Sequence, residues 1–505
     1  MDPTRRRRST GPRASARQPE YHSLRHPFAP QPVFSDDRVA ALHEAALGVL
    51  ETHGIKVLLP EAVAVFRAAG AWVEGDMVRI GREIVTAALA MAPRSIACRA
   101  ATRARDLVLE PGALTFVPGC GAPNVSDARR GRRPGTQADY EELLKLVQGF
   151  EALQILGPFV ESQDVPPPLR HLAVTRAQLE LSDKFPFVFA RGTRQLEDAL
   201  TMIALARGLD EDAVRARVHS YTVINSNSPR QLDIPMSQGI LDFARAGQVS
   251  VITPFCLMGA MAPITVAGAL VLQHAEALAG ITLAQLARAG APVLYGSFSS
   301  NVDMKSGAPA FGTPAHIQAT LGAGQLARHV GLPWRSGAGS AGNAPDAQGA
   351  QENAMGLWAS LMAGSTMVVH AAGWMEGGLT FGYEKLIVDM EAVQTLAELC
   401  SPPAGDEAAL ALDAIAEVPP GGHFFATQHT MARYETAFYE PLVTDLRNHG
   451  QWTEAGAPLT PERALAVWEA RLAAYTPPPA CDGVAETLAP FLERRTTEGG
   501  AVPIS

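Results

Sequence analysis

Cysteine is scarce in this sequence of 505 residues, and none of its cysteines forms a Cys-x-x-Cys pair. The five cysteines are Cys98, Cys120, Cys256, Cys400 and Cys481. Widely spaced cysteines in odd number are typical of a reducing compartment, and their spacing provides no zinc or iron–sulfur ligand set. We therefore expect a cytoplasmic protein without a bound metal of its own.

An excess of positive charge is also lacking. The formal net charge is -9 and the isoelectric point is about 5.8, whereas a general nucleic-acid binder usually has a basic face. Arginines are concentrated at the N-terminus, at Arg5 to Arg8, Arg13, Arg17 and Arg25, and no apolar signal segment follows them. We predict a disordered basic tail over residues 1–30, with contact to a partner or an acidic polymer as the alternative.

Long uninterrupted apolar runs are absent. Residues 246–273 carry no charge, but Pro254, Gly259 and Pro263 interrupt them. A membrane-spanning helix needs about 20 consecutive apolar residues. The segment therefore indicates a buried strand, a loop and the start of a buried helix in a soluble protein.

Several catalytic motifs are missing as well. The sequence contains no Walker A loop, no His-Glu-x-x-His and no Gly-x-Ser-x-Gly. Residues 337–342 match the dinucleotide pattern Gly-x-Gly-x-x-Gly, but Pro345 follows closely and Met362 stands where an acidic residue is needed. This departure argues against dinucleotide binding.

What the sequence does contain is a repeated strand–helix pattern. Short apolar runs end in small or polar residues and are followed by helical stretches, such as 139–150, 194–207, 237–245 and 314–330. The runs are 114–117, 153–160, 187–190, 218–224, 249–255, 292–298, 332–336 and 366–371. Eight such units predict an α/β protein with a (β/α)8 TIM barrel. A doubly wound open sheet is the rival.

The flanking regions look mainly helical. We predict an N-terminal helical region over residues 31–110, the barrel over 111–402 and a C-terminal helical region over 403–505. The N-terminal helices are expected at 36–50, 60–69 and 82–92, with short strands at 57–59 and 72–78. C-terminal helices are expected at 407–415, 431–442 and 461–474.

Active sites of such barrels lie just after the strands. The residues there are mostly small and polar, with few charges. The charged residues are Glu161, Asp164, Arg191, Asp303 and Glu376. His370 ends an apolar run beside Trp374 and Glu376, which makes it a candidate site residue. A wide mouth lined by glycine has room for a flat cofactor or a partner protein.

The stretch from Ser336 to Gly349, with its Pro345-Asp346-Ala347-Gln348 element, resembles the signature region of the trimethylamine methyltransferase family. The resemblance also covers His26-Pro27-Phe28 and the Gly421-Gly422-His423 segment, and it extends over about residues 26–500. It implies a (β/α)8 barrel that moves a methyl group from an amine to the cobalt of a corrinoid (cobalamin) on a separate corrinoid protein.

The sequence departs from the family at one position. The trimethylamine enzymes carry pyrrolysine in this loop, and the matching position here is Asn343. Relatives without pyrrolysine include enzymes for quaternary amines such as glycine betaine. A quaternary ammonium is the better donor without help, because its leaving group is a neutral amine. We therefore expect a quaternary amine:corrinoid methyltransferase. A tertiary amine, sulfonium or N-methyl heterocycle donor and a non-catalytic amine-binding barrel are the alternatives.

A trimethylammonium group favours aromatic faces. The predicted catalytic residues are Asn343, His370 and Glu376. The predicted substrate-binding residues are Trp374, Tyr295, Phe298, Arg191, Phe381 and Tyr383. The predicted corrinoid-facing residues are Gly337, Gly339, Ser340 and Asn301. We also expect a homo-oligomer, since acidic barrels of this size commonly assemble.

Overall fold

The computed structural model describes residues 21–504. The arginines from Arg5 to Arg17 lie outside the described residues. The prediction that disorder extends to residue 30 is wrong. The strand Leu24–Arg25 pairs antiparallel with the strand Ala113–Phe116, and Leu24 is buried.

The centre of the molecule is a sheet of parallel strands. Beside the antiparallel Leu24–Arg25, its strands lie in the order Ala113–Phe116, Met367–Val369, Trp334–Gly337, Val293–Gly296, Val249–Ile252 and Tyr221–Ile224. Most of their residues are buried, as expected for strands that are covered on both faces. Isolated parallel bridges also join Phe116 to Leu153, Ile155 to Phe185, and Phe187 to Tyr221.

Long helices alternate with these strands. They are Gln137–Gln148, Pro167–Leu181, Thr193–Arg207, Ile234–Ala246, Val266–Ala287, Pro314–His329, Ala347–Met362 and Tyr383–Leu399. Side chains at their N-termini accept backbone N–H groups that the first turn leaves unpaired, as Thr136 does from Asp139 and Asp346 does from Gly349. The predicted α/β class with alternating strands and helices is confirmed.

Among the described residues, the helix Val266–Ala287 is long and apolar enough to cross a membrane, judged by its length and composition alone. Core helices pass the same test, and 72% of its apolar window is buried inside the protein. The strand Val249–Ile252 and a loop precede it, as the interrupted run predicted.

The N-terminal region matches the prediction closely. Its helices are Asp36–Thr52, Pro60–Ala68 and Arg82–Met91, and its strands are Ile55–Val57, Trp72–Glu74 and Met77–Arg79. The strand Ile55–Val57 also pairs with Gln231–Leu232, which ties this region to the strand–helix layers. The strands Ile96–Cys98 and Leu107–Leu109 form a separate antiparallel pair.

Additional short strands lie beyond the ends of the central strands. The hairpin Asn124–Asp127 and Gly131–Pro134 pairs with Thr380–Gly382, which in turn pairs with Trp374–Met375. The strands Leu257–Met258, Ser300–Val302 and Pro309–Ala310 form a second small sheet. Each sheet connects loops that follow different central strands, and we call the two sheets and their loops the rim.

The C-terminal region is helical in part. Its helices are Glu407–Leu410, Leu412–Glu417, Gln428–Met431, His449–Glu454, Thr460–Ala473 and Val484–Thr497. The predicted helix over residues 431–442 is wrong. Many side chains in that stretch are exposed, so little burial is available to offset the entropy of ordering a helix. The predicted domain boundaries at residues 110 and 402 stay predictions.

Candidate functional site

An aromatic cluster lies at the carboxyl ends of the central strands. It consists of Phe255, Phe298, Phe311, Trp374 and His370. The Phe298 ring stacks on those of Phe255 and Phe311 with centroid distances of 5.2 and 5.4 Å. Trp374 meets Phe298 edge-on at 5.7 Å and Phe311 at 5.2 Å. Aromatic faces of this kind attract a cationic group through the ring quadrupole.

His370 forms one wall of the cluster. It directly follows the strand Met367–Val369, has a φ of 60°, and its ring lies 4.6 Å from that of Trp374. The backbone N–H of Cys120 donates to Nδ1 at 3.3 Å, so the neutral ring carries its proton on Nε2. Burial and then the charge of Arg335 hold the pKa of His370 well below its ordinary value. The ring is therefore neutral at physiological pH.

Arg335 lies beneath the cluster in the strand Trp334–Gly337 and is almost fully buried. Its guanidinium carbon lies 5.0 Å from the Phe298 ring centre, and its Nη1 reaches the Ser297 carbonyl only at 3.4 Å. Within residues 21–504, no carboxylate lies within ion-pair distance and its Nε has no partner. Burial lowers the pKa of Arg335 to about 10, so a charged donor remains here at neutral pH.

Two more buried donors lie beside the cluster. The Nε1 of Trp374 and the hydroxyl of Ser299 have no hydrogen-bond partner among the described residues. Buried donors are seldom left unpaired because the loss costs about 1–3 kcal/mol each. Together with Arg335 they indicate a ligand that carries a hydrogen-bond acceptor as well as a cation.

Gly337 and Gly339 make room for the aromatic rings. A Cβ on Gly337 would lie 2.5 Å from the Phe298 ring, and a Cβ on Gly339, at φ +109°, would overlap Trp374. The space beside each glycine is therefore filled by an aromatic ring. That Gly337 and Gly339 face a corrinoid stays a prediction.

The helix Ala347–Met362 fixes the loop that contains these glycines. Its Glu352 carboxylate accepts the hydroxyl of Ser340 and the N–H groups of Ala341 and Gly342 at 2.8–3.1 Å. Ser340 is fully buried, and its hydroxyl also accepts the N–H of Gly342. That Ser340 faces a corrinoid stays a prediction as well.

Asn353 joins the two loops that build the cluster. Its Oδ1 accepts the N–H of Gly339 at 2.8 Å, and its Nδ2 donates to the carbonyl of Ala371 at 2.9 Å. The side chain is fully buried. The Asn353 amide thus sets the spacing between the loop that contains Gly339 and the loop that follows His370.

The remaining predicted residues lie elsewhere on the rim. Asn343 is exposed, and Glu376 pairs with Arg132 at 3.0 Å. Asn301 accepts the hydroxyl of Thr313 at 2.7 Å. Within residues 21–504, neither Asn343 nor Glu376 forms a side-chain hydrogen bond with a member of the aromatic cluster, and a catalytic role for them stays a prediction.

Four predicted substrate-binding residues are not part of the cluster. The Tyr295 hydroxyl bonds to Gln273 and His274 on the helix Val266–Ala287. Phe381 packs on Phe159, and the Tyr383 hydroxyl donates to Glu142 at 2.6 Å. Arg191 lines a separate cavity of about 440 Å³. Trp374, Phe298 and His370 are the predicted residues that the structure brings together.

Sequence reasoning missed Phe255, Phe311, Arg335 and Asn353. Phe255 ends a predicted strand run, so its position carried a signal. Arg335 also carried a signal, because a charged residue inside an apolar strand is rarely buried unless it is paired or has a functional role. Phe311 and Asn353 follow no pattern that could have singled them out.

Within residues 21–504, no group of three or more His, Cys, Asp or Glu side chains is arranged to hold a metal ion.

The chain is similar to methyltransferases over nearly its whole length. The family model described as trimethylamine methyltransferase (MTTB) matches residues 3–500. A glycine betaine methyltransferase of Desulfitobacterium hafniense (strain Y51) is 34% identical over 93% of this chain and 98% of that protein. The trimethylamine methyltransferase MttB of D. hafniense (strain DSM 10664 / DCB-2) is 30% identical over 92% and 94%.

A solved structure, the monomethylamine methyltransferase MtmB of Methanosarcina barkeri, aligns with 92% of this chain and 88% of its own, with a TM-score of 0.48 and 9% identity. The family match and the two sequence relatives each cover most of the chain. The chain therefore belongs to the trimethylamine methyltransferase family and is an enzyme of the methyltransferase class.

Proposed function

We propose that this enzyme moves a methyl group from a carboxylate-bearing quaternary amine of the glycine betaine type to the Co(I) of a corrinoid on a separate protein. The observation that carries this proposal is Arg335, a buried guanidinium without a carboxylate partner among the described residues, directly beneath an aromatic cluster. The aromatic faces suit the trimethylammonium group, and the guanidinium suits the carboxylate.

A closed barrel supplies the setting for this reaction. The six parallel strands and the three isolated bridges join each strand segment to the next, from Phe116 through Leu153, Ile155, Phe185, Phe187 and Tyr221. These pairings support a (β/α)8 barrel. The aromatic cluster then lies at its carboxyl face, where barrel enzymes hold their substrates.

The chain contributes positioning and desolvation rather than proton transfer. A quaternary ammonium leaves as a neutral amine, so the departing nitrogen needs no proton. Phe298 and Trp374 present aromatic faces to the cation, and Arg335 orients the carboxylate. Neutral His370 adds no positive charge beside the cation. The corrinoid supplies a strongly nucleophilic metal centre that accepts the methyl group.

The rim fits a corrinoid protein. Three large apolar side chains are exposed on loops that follow different central strands, namely Ile264, Met304 and Leu379, at 68%, 66% and 55% exposure. Exposed apolar residues that lie close together can mark an interaction site. They offer an apolar surface to a flat macrocycle and to the protein that carries it.

The test is anaerobic incubation with reduced cobalamin and a panel of methylated amines, followed by the visible spectrum. We expect the spectrum to change with glycine betaine and to stay constant with trimethylamine. A change with trimethylamine alone would contradict the proposal. No change with any amine, repeated with the cognate corrinoid protein, would favour a binding role.

A further inference from the structure

The separate cavity that Arg191 lines opens beside the aromatic cluster. Its volume of about 440 Å³ lies within the range of small-molecule sites, about 300–1,000 Å³. Val160 and Phe189 line it, each a few residues after a strand segment that is bonded into the central sheet. Gly121 lines it as well, and the adjacent Cys120 donates its N–H to His370 of the aromatic cluster. Two successive residues thus connect the cavity to the cluster.

His171 is a buried polar residue of this cavity, only 3% exposed. Its Nε2 hydrogen-bonds to Asp198 at 2.9 Å, and Arg495 donates to both oxygens of the same carboxylate at 2.8 and 2.9 Å. Burial raises the pKa of Asp198, but the hydrogen bonds from His171 and Arg495 outweigh burial and hold this pKa below its ordinary value. Asp198 is therefore a carboxylate, which fixes the proton of the neutral imidazole on Nε2.

The other ring nitrogen of His171, Nδ1, has no hydrogen-bond partner within residues 21–504. In the neutral ring this nitrogen is an acceptor, because the proton lies on Nε2. Buried polar atoms are seldom left unpaired. His171 therefore indicates a ligand that donates a hydrogen bond.

Arg191 gives the lining of the cavity a positive charge. The other arginine of the lining, Arg170, pairs with Glu161, which also lines the cavity. The Arg191 guanidinium forms no hydrogen bond or ion pair with the part of the chain that the structure describes. A guanidinium binds a carboxylate through two parallel hydrogen bonds. Much of the remaining wall is apolar and includes Val174 and Pro503.

Hydrogen bonds to residues 501–504 hold this cavity in shape. Gln195, which lines the cavity, donates to the carbonyl of Ala501 at 2.9 Å. The N–H of Ile504 donates to the carbonyl of Arg191 at 3.0 Å. Pro503 lies between these two anchored positions and forms part of the wall. The cavity is thus preformed, as small-molecule sites usually are.

On the basis of the proposed function, we propose that this cavity binds the demethylated product, a protonated tertiary amine with a carboxylate, such as dimethylglycine. In the reaction the C–N bond breaks and a C–Co bond forms with an electron pair from Co(I). The C–N pair stays on nitrogen, and the free amine then takes a proton from water. The product therefore offers an N–H donor to His171 and a carboxylate to Arg191, whereas the quaternary donor has no N–H group.

The test is calorimetric titration of the full chain with dimethylglycine in the presence of saturating glycine betaine. We compare the wild type with Arg191→Met. Arg103→Met is the matched control, since Arg103 is also exposed and does not line the cavity. The second ligand is dimethylethanolamine, which keeps the N–H donor but has no carboxylate.

We expect the wild type and the control to bind dimethylglycine together with glycine betaine. Arg191→Met should bind dimethylglycine about fivefold more weakly, because water screens an exposed guanidinium. Dimethylethanolamine should bind the wild type and Arg191→Met equally, a difference between ligands that a structural effect of the substitution would not produce. His171→Leu should weaken both amines about tenfold. Circular dichroism checks the folding of this variant, and the Arg191 comparison is independent of it.

Competition between dimethylglycine and glycine betaine for one site would overturn the inference. So would an Arg191→Met variant that binds dimethylglycine as tightly as the wild type does, or that loses the same affinity for both amines. Methyl transfer from glycine betaine to free cobalamin tests the proposed function separately, because that assay needs no product in the cavity.

Discussion

Replacement of Arg335 by methionine tests the site in two independent ways. The guanidinium is almost fully buried, without an ion-pair partner among the described residues, and burial lowers its pKa from the ordinary value of an arginine to about 10. At 1.36 kcal/mol for each pKa unit, keeping this charge buried costs the folded protein about 3 kcal/mol. An apolar side chain of similar length removes that cost. We therefore expect Arg335→Met to raise the free energy of unfolding by up to about 3 kcal/mol.

The same change should weaken binding of a carboxylate-bearing donor. A hydrogen bond to a charged group contributes about 1.5–3 kcal/mol, so we expect the dissociation constant of glycine betaine to rise roughly 10- to 150-fold. Tetramethylammonium has no carboxylate, and its affinity should stay constant or improve because a nearby cation is removed. Calorimetric titration with both ligands and urea unfolding measure the two effects.

Arg335→Lys is the matched control. It keeps the charge but loses the two-pronged geometry, so it should retain the low stability and bind glycine betaine more weakly than the wild type. The reasoning is refuted if Arg335→Met destabilises the fold and weakens both ligands equally. That outcome would assign Arg335 to packing rather than to substrate binding.

Three further predictions concern neighbouring positions. Gly339→Ala should displace Trp374 and weaken donor binding at least tenfold by calorimetry, whereas Gly290→Ala, at another positive φ with open space around it, should bind normally. Asn353→Leu should lower the free energy of unfolding by about 2–4 kcal/mol and slow methyl transfer, because two buried backbone groups lose their partner; equal stability would contradict this. Burial lowers the pKa of His316 to about 4, so the unfolded chain binds a proton below pH 6.5 that the folded chain does not. Stability should fall by about 2 kcal/mol at pH 5 relative to pH 7, and His316→Gln should abolish that part of the fall in urea unfolding.

Much of the fold follows from local sequence patterns. The run of residues 249–255 predicted a strand, and the structure has Val249–Ile252 there. The N-terminal helices agree with the prediction to within two residues, because capping and apolar periodicity act over a few neighbouring positions. The predicted helix over 431–442 is absent, since the apolar side chains of Met431, Tyr434 and Phe438 are exposed and little burial is available to order it.

The site was predictable only in part. Phe298 and His370 lie at the ends of predicted strand runs and Trp374 follows one, and the strand ends converge at one face of a parallel barrel. Tyr295 lies inside the same predicted run as Phe298, yet its side chain points to the helix Val266–Ala287, where its hydroxyl hydrogen-bonds with His274 at 2.8 Å. Side chains alternate between the two faces of a strand, so a shift of one residue reverses the direction of each side chain.

The sequence by itself determined the family, the class of reaction and the order of strands and helices, because these depend on motifs and on local periodicity. Only the tertiary structure decided that Gly337 and Gly339 admit aromatic rings, that Glu352 and Asn353 hold the loops, and that Arg335 has no carboxylate partner among the described residues. These properties depend on distances between residues far apart in the chain. Each part of the sequence specifies its own backbone, whereas the close packing of distant segments determines which side chains meet.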